Sequence, residues 1–542
     1  MAELFEDTTF GQILRWASGG RLFAHRDEWD EELREHYIVG SQEKQRWSSD
    51  ELEKGKGDYV LIDFLEDDPK VFYSSLSLFR PFRTHAIGPW PRRPSSLSTS
   101  VSSPSPSNIG SAIYTSGLRD IIQEFAVSQT VATLGLTLYV LGYGMGPMIF
   151  APLSEIPFVG RNKIYLGTLL VFVFFNFGVV YAKNIGMLLA FRFLTGFFGS
   201  PVLATGGASL ADMYRPAKRA YPFAIYGIAN VAGPTVGPVV GNWAAEFKGW
   251  TWPIWILIWA SGFALVFLFF FFPETSANYI LCRRTARLRK HEPKDGLKFK
   301  CEPEIMGEQM TPAAAMKMTL VKPFTLCFGE PIVFALNLYI ALIYAVLYCW
   351  LESIPIVFEQ VRGFSLGISG LCYIGLIVGG LLTIPPYFYY NYYFVEPRLD
   401  DEGNIRPEIR LETALVGCFC LPICLFLFGW TGSDTSIHWI VPIIGTTFFT
   451  IGAFCSFAAV LNYLGDSYPA DFASISAGND FFRSCFGAAF PLFATQMFTT
   501  LGIDWGNSLL GFLTICFIPI IFGLWWKGDR LRMRSSNARH DI

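Results

Sequence analysis

Long apolar stretches recur from residue 129 to residue 526, each closed by a short polar turn. A helix needs roughly 20 apolar residues to cross the hydrocarbon core of a bilayer. The pattern predicts spanning helices near 129–152, 164–181, 186–211, 223–246 and 252–272. A polar, basic stretch follows from 274 to 329. Six more spans are predicted beyond it, near 331–351, 365–387, 411–430, 439–463, 473–498 and 507–526.

The two groups echo each other, as repeated halves of one architecture would. Asp212-Met213-Tyr214 closes the third run, and Asp466-Ser467-Tyr468 closes the ninth, 254 positions later. Pro238 lies within the fourth run, and Pro491 stands 253 positions on. The repeat therefore owes the first half a sixth span ahead of residue 129. Only NIGSAIYTSGL, residues 108–118, offers an apolar remnant there. Arg80, Arg83, Arg92 and Arg93 lie upstream, and an arginine costs roughly 2.5–3.5 kcal/mol at a span centre. The expectation is a damaged first span, produced by a frame or splice error. Residues 1–107 read as a mostly disordered cytosolic tail containing that damage. The other expected units are an N-terminal bundle over 108–273, a cytosolic central loop over 274–330, a C-terminal bundle over 331–526 and a basic cytosolic tail over 527–542.

Composition narrows the class. Hydrophobic residues make up 52% of the 542 positions and charged residues 16%, where soluble domains carry about 25% charge. Mean hydropathy is +0.36. The formal charge of −3 leaves no basic excess for phosphates, so no nucleic-acid partner is expected. All 11 cysteines fall from Cys282 onward, mostly in apolar runs, and read as small packing residues. The first residues lack a basic stretch followed by an apolar core, so no cleavable signal peptide is expected. With both termini cytosolic, the inner loops and C-terminal tail hold 23 Lys or Arg; the outer loops hold three, Lys183, Lys248 and Arg362. That bias fixes the expected orientation.

Several positions carry candidate chemistry. Glu155, Gly160 and Arg161 lie in a short loop, where Arg161 could latch onto Asp212 at the end of the third run. A positive turn with a surface ion pair is the other reading. Arg192 sits inside an apolar helix, facing either the interior or a water-filled cavity, or snorkelling to an interface. Gly233, Gly237 and Gly241 are four apart and share one helix face, while Pro234 and Pro238 remove backbone donors. Such a face suits helices that rock or helices that pack statically. Asp480 and Arg483 are spaced to pair within one helix, as a packing device or as a gate. Tyr139, Tyr143, Asn230, Asn337, Asn462 and Gln496 are candidates for polar groups in a substrate cavity. No P-loop, zinc-protease, nucleophile-elbow or dinucleotide motif is present. No enzymatic activity and no cofactor are therefore expected, with a proton gradient as the energy source.

Here a resemblance becomes specific. Residues 151–162 resemble motif A of the major facilitator superfamily, G-x-x-x-D-R-x-G-R-R. Ala151 stands at the first Gly, Glu155 at the acidic position, and Gly160-Arg161 at the Gly-Arg. Two residues are added between Glu155 and Gly160, and Asn162 replaces the last basic residue. Residues 188–214 resemble motif B, whose arginine, here Arg192, is implicated in proton coupling. Residues 226–243 look like motif C, the antiporter motif G-x-x-x-G-P-x-x-G-G, with Asn242 departing at its last Gly. SEIPFVGRN, the PET at 273–275 and KGWTWPIW at 248–255 are similar to the fungal drug:proton antiporter-1 family, in its benomyl, fluconazole and caffeine resistance branch.

The resemblance covers roughly 108–526. It implies an all-α membrane fold of two six-helix bundles, with the first helix degenerate in this chain and a central cavity opened alternately to each side. It implies proton-coupled efflux of small hydrophobic or amphipathic compounds by a monomer in the lipid bilayer. The plasma membrane is the expected location, with the vacuolar membrane as alternative. The alternative functions are a dedicated exporter of a fungal secondary metabolite or toxin, a polyamine exporter, and a transport-impaired product.

Overall fold

A computed structural model describes residues 8–18, 25, 59–61, 104–156, 159–201, 206–207, 209–210, 218, 220–291, 298–309, 321–400, 405–469, 471–535 and 537–540. All eleven predicted spans form helices. The second to sixth spans are Gln129–Glu155, Arg161–Val180, Ile185–Gly199, Ala220–Lys248 and Thr251–Phe271. Pro331–Leu351 begins the seventh, which runs on through a π-helical turn at Ile356–Val361. The eighth combines Leu366–Leu371 and Ile374–Tyr390; the ninth and tenth are Glu412–Ser433 and Ile440–Ser467. The eleventh starts at Phe472–Ala489 and continues past Pro491. At Gly502 the backbone turns to φ 82°, and the twelfth span runs from there to Arg532. Side-chain caps start these helices cleanly: Ser128 accepts from the Val131 N–H, and Asn184 accepts from the Met187 N–H at 2.8 Å.

The first span is helical despite its low hydropathy. Pro104–Ala112, a 3-10 turn at Ile113–Gly117 and Leu118–Phe125 form one helical run ahead of the second span. It begins four residues inside the stretch assigned to the tail, since Pro104 precedes the boundary at 107. The polar residues of its first part, Ser107, Asn108, Ser111 and Ser116, are all buried among neighbouring helices. Tyr114 donates to the Ala132 carbonyl at 2.9 Å, and Trp250 donates to Glu124 at 2.5 Å. A helix enclosed by protein has no need of an unbroken apolar surface, which is why its hydropathy is low. Arg80, Arg83, Arg92 and Arg93 lie outside the described residues.

Within residues 1–107, expected to be mostly disordered, Thr9–Ala17 is a helix capped by Thr8. Its Phe10 packs on Phe269 and Phe270 at the end of the sixth span. The central loop also holds structure. Ala277–His291, Glu302–Gln309 and Lys322–Gly329 are helices, and strand β2 (Lys298–Lys300) pairs in parallel with strand β1 (Tyr59–Leu61). Beyond the twelfth span the tail folds back on the loop face. The Arg539 N–H donates to the Ser467 carbonyl at 2.8 Å, and Asn537 donates to Glu330 at 2.6 Å.

The spans divide into two bundles that meet along two seams. In one, Thr137 of the second span donates to the Ala488 carbonyl of the eleventh at 2.9 Å. In the other, Gly370 of the eighth span lies against the Pro238 carbonyl of the fifth, 2.8 Å from where a Cβ would stand.

Candidate functional site

The polar face of the first span is the hub of the molecule's centre. Asn108 donates to Asn230 of the fifth span at 2.8 Å and accepts from Tyr143 of the second. Tyr139 donates to the Ser107 carbonyl at 2.6 Å. Across the seam, Tyr348 of the seventh span donates to Ser111 at 3.1 Å. Tyr344 stacks edge-on to Tyr348, with ring centroids 5.0 Å apart. Polar groups in such a dry setting hold one another because water is not there to replace a lost partner. The result is a closed, aromatic and polar centre, lined by Ser107, Asn108, Ser111, Tyr139, Val140, Tyr143 and Tyr348, with no free space for even one water molecule. Pockets for drug-sized ligands run to roughly 300–1,000 Å³, far more than this closed centre offers.

Arg192 lies directly behind this centre, fully buried. Its Nε donates to the Gly135 carbonyl and its Nη1 to the Gly110 carbonyl, each at 3.0 Å. The guanidinium lies between two rings, 4.5 Å from the Tyr114 centroid and 4.3 Å from Tyr139. Cation–π contacts of this kind gain about 2 kcal/mol or more when desolvated. The arginine thus ties the first, second and fourth spans together. Snorkelling to an interface, the other reading of its sequence, does not occur.

The glycine stripe of the fifth span seats the first span. A Cβ on Gly233 would strike Asn108, one on Gly237 would stand 2.8 Å from the Ile113 nitrogen, and one on Gly241 would stand 2.6 Å from Ser116 Oγ. These glycines therefore work inside the N-terminal bundle. Inter-bundle contacts on this helix come from other positions, among them the Pro238 carbonyl, which meets Gly370, and Ile228, which meets Gly380.

In the C-terminal bundle, Asp480 and Arg483 form an ion pair at 2.8 Å, both nearly buried. Arg483 also lies over Tyr344 at 5.2 Å and Phe457 at 5.5 Å. One residue earlier, Asn479 donates to Asn337 at 2.8 Å, and Asn337 donates to Cys327 at 3.1 Å. Ser484 and the Asp480 carbonyl abut Gly144 of the second span. The pair thus sits where the eleventh span touches the other bundle.

Both ends of the seams are clamped. On the face opposite the central loop, Arg119 pairs with Glu359 at 2.7 Å, and Glu246 accepts from the Gly367 N–H at 2.5 Å. On the loop face, Lys218 pairs with Glu396 at 2.7 Å and Tyr221 donates to the same carboxylate at 2.5 Å.

Asp212 lies outside the described residues, and Glu155 closes the second span. The described partner of the Arg161 segment is Glu274. Its buried carboxylate accepts from the backbone N–H groups of Arg161 at 3.1 Å, Asn162 at 3.3 Å, Thr275 at 3.0 Å and Ser276 at 3.0 Å. A carboxylate at a helix N-terminus satisfies otherwise orphaned donors, so Glu274 fastens the third span to the end of the sixth. Gly160 precedes that helix at φ 75°, and a Cβ there would strike the same carboxylate. Glu274→Ala and Gly160→Ala are each expected to destabilise the protein by about 1–3 kcal/mol, the cost of stranding buried donors. A lowered melting temperature in detergent checks this; unchanged melting of Glu274→Ala would show that the carboxylate fastens nothing.

The repeat supplies the counterpart in the second half. Arg410, at the start of the ninth span, pairs with Asp466 at 2.9 Å. Asp466 is the residue that echoes Asp212.

Of the cavity candidates, Tyr139, Tyr143 and Asn230 join the centre, whereas Asn337 is bonded to Asn479 and Cys327. Asn462 does not; it lines a separate cleft near the loop face with Arg410 and Tyr390. Gln496 is exposed near the opposite face. Sequence reasoning missed Ser107, Asn108, Ser111, Tyr344 and Tyr348. Ser107 ends the stretch assigned to the tail, and Asn108 and Ser111 lie in the short remnant 108–118, where the halves' repeat required a helix.

Residues 106–491 match the sequence profile of the Major Facilitator Superfamily. The chain is 34% identical to the "Cycloheximide resistance protein" of Candida maltosa over 99% of this chain and 100% of that one. It is 40% identical to "Fluconazole resistance protein 1" of Saccharomyces cerevisiae over 79% of this chain and 78% of that one. Among solved structures, the major facilitator proton:xylose symporter XylE bound to 6-bromo-6-deoxy-D-glucose superposes with a TM-score of 0.56 at 15% identity, covering 80% of this chain and 95% of that one. That likeness carries the fold alone.

Proposed function

Because the chain belongs to the major facilitator superfamily, as a multi-pass helical membrane transporter rather than an enzyme, we propose that it is a proton-coupled efflux antiporter for small hydrophobic or amphipathic compounds. The observation that carries the reading is the centre itself. Polar groups of the first span meet tyrosines from both bundles, and a buried arginine braces that span from behind. Aromatic walls with few, fixed polar groups suit planar, apolar cargo. Full-length similarity to a cycloheximide resistance protein supports export of toxic compounds.

The proposed cycle follows from the clamps. The bundles rock about the closed centre, releasing the Arg119–Glu359 side and the Lys218–Glu396 side in turn. Asp480 carries the proton: protonation removes its attraction for Arg483, whose freed guanidinium then reorganises the eleventh span against the second. Arg192 holds the first span in register while this happens. At the loop face, Glu155, Arg161 and Asp212 are assigned the latch role that the Arg410–Asp466 pair fills in the other half. No cofactor enters the scheme.

Both termini face the cytosol in this reading. The loop face bears the 23 Lys and Arg, and adding Arg119 raises the opposite side to four. The plasma membrane is the proposed site and a monomer the proposed unit. Expression in a pump-deficient yeast should raise tolerance to several planar toxic compounds, and a protonophore should abolish the gain. Tolerance that survives collapse of the gradient would overturn proton coupling.

A further inference from the structure

Cys282 and Cys301 face each other in the central loop, with their sulfurs 3.2 Å apart. Cys282 lies on the helix Ala277–His291, and Cys301 directly follows strand β2. Leu281, Leu288 and Phe299 enclose them in a small apolar cluster of their own, apart from the main core. Arg289 braces the arrangement: its Nε donates to the Phe299 carbonyl at 2.7 Å, and its guanidinium pairs with Glu304. Other cysteines, such as Cys349, Cys372, Cys424 and Cys455, are buried within spans.

The hydrogen bond from the Cys282 thiol holds the Cys301 sulfur below the usual thiol range, at about 7. A thiolate is thus at hand near neutral pH, and the thiolate is the reactive form. Cys282 is half-buried and reachable, while Cys301 is enclosed beside it. Lasting disulfides are rare in reducing compartments, and those that do form there are mostly redox-responsive.

We propose that Cys282 and Cys301 are a redox-sensitive dithiol, which a peroxide-class oxidant converts to a reversible disulfide that staples the central loop. In the first step the reachable Cys282 thiol passes its proton to the Cys301 thiolate 3.2 Å away, and the Cys282 sulfur attacks a peroxide oxygen, breaking the O–O bond. Cys282 becomes a sulfenic acid and one water leaves. The Cys301 thiolate then attacks that sulfur, and the hydroxyl departs as a second water. Two thiols and one hydrogen peroxide give one disulfide and two waters. A dithiol reductant reverses the reaction by exchange. The bond spans 19 positions and locks the helix to strand β2, which itself pairs with β1 of the N-terminal segment.

The test uses the full chain, purified reduced in detergent and exposed briefly to hydrogen peroxide. Free thiols are then blocked, and peptides are mapped by mass spectrometry without reduction. A Cys282–Cys301 cross-linked peptide, two hydrogens lighter than the dithiol, should appear before any other cysteine is lost, and dithiothreitol should remove it. Cys282→Ser and Cys301→Ser should each abolish it. Full alkylation of both cysteines after peroxide, in monodisperse wild-type protein, would overturn the proposal, as would sulfinic acid at one cysteine with no bridge.

Discussion

Arg192→Ala is expected to reduce compound export to the level of cells lacking the protein while leaving insertion in the membrane intact. The side chain makes two charge-assisted hydrogen bonds, each of which typically contributes about 1.5–3 kcal/mol, and it lies between two tyrosine rings. Removing it strands no opposite charge, because its partners are backbone carbonyls and rings. The loss therefore falls on the position of the first span, which carries the polar hub of the centre. Arg192→Lys should rescue only partly, since one compact ammonium cannot bridge two carbonyls and stack between rings. Surface abundance together with uptake of a fluorescent substrate separates the outcomes. Undiminished export by Arg192→Ala would remove the arginine from the mechanism.

The second large effect concerns Asp480 and Arg483. Asp480→Ala leaves Arg483 buried without its carboxylate, and breaking a buried pair costs about 3–5 kcal/mol. Low yield and a lowered melting temperature are expected. The double variant Asp480→Ala/Arg483→Ala should melt closer to the wild type than either single variant, because neither charge is then stranded. Asp480→Asn addresses coupling rather than packing. It keeps the volume but cannot take up and release a proton, so substrate exchange at equal pH should persist while pH-driven accumulation stops. Loss of both activities together would confine the pair to a structural role.

Most of the fold was legible because lipid-facing helices announce themselves. The sixth span, TWPIWILIWASGFALVFLFFF, is rich in exposed aromatics and could be read at sight. The first span shows where that signal ends. Its neighbours are Tyr139, Tyr143, Asn230 and Tyr348 rather than lipid. Its contacts at the centre are made by Ser107, Asn108 and Ser111, and these polar residues hide the span from a hydropathy reading. The repeat between halves was the better guide: it required a span ahead of residue 129 and was right.

The site divides in the same way. Arg192 and the Asp480/Arg483 pair stood out because a charge in an apolar run needs a reason. The glycine stripe was visible as a face, but spacing does not say what lies against it. It turned out to be the first span, whose close approach needs the missing Cβ atoms. Glu274 stood out only as part of the PET at 273–275, without a partner, because an acidic residue after a span looks like a polar boundary. Only the fold brings it beneath the N–H groups of Arg161 and Asn162, more than 100 positions away.

The most direct test of the account reconstitutes the purified chain in liposomes, imposes a pH gradient and follows a labelled hydrophobic cation or azole across the membrane. The account predicts movement of the compound against the proton flux, abolished by a protonophore and by Arg192→Ala. Compound movement that is indifferent to the gradient, or none for any compound with correctly inserted wild-type protein, would contradict it.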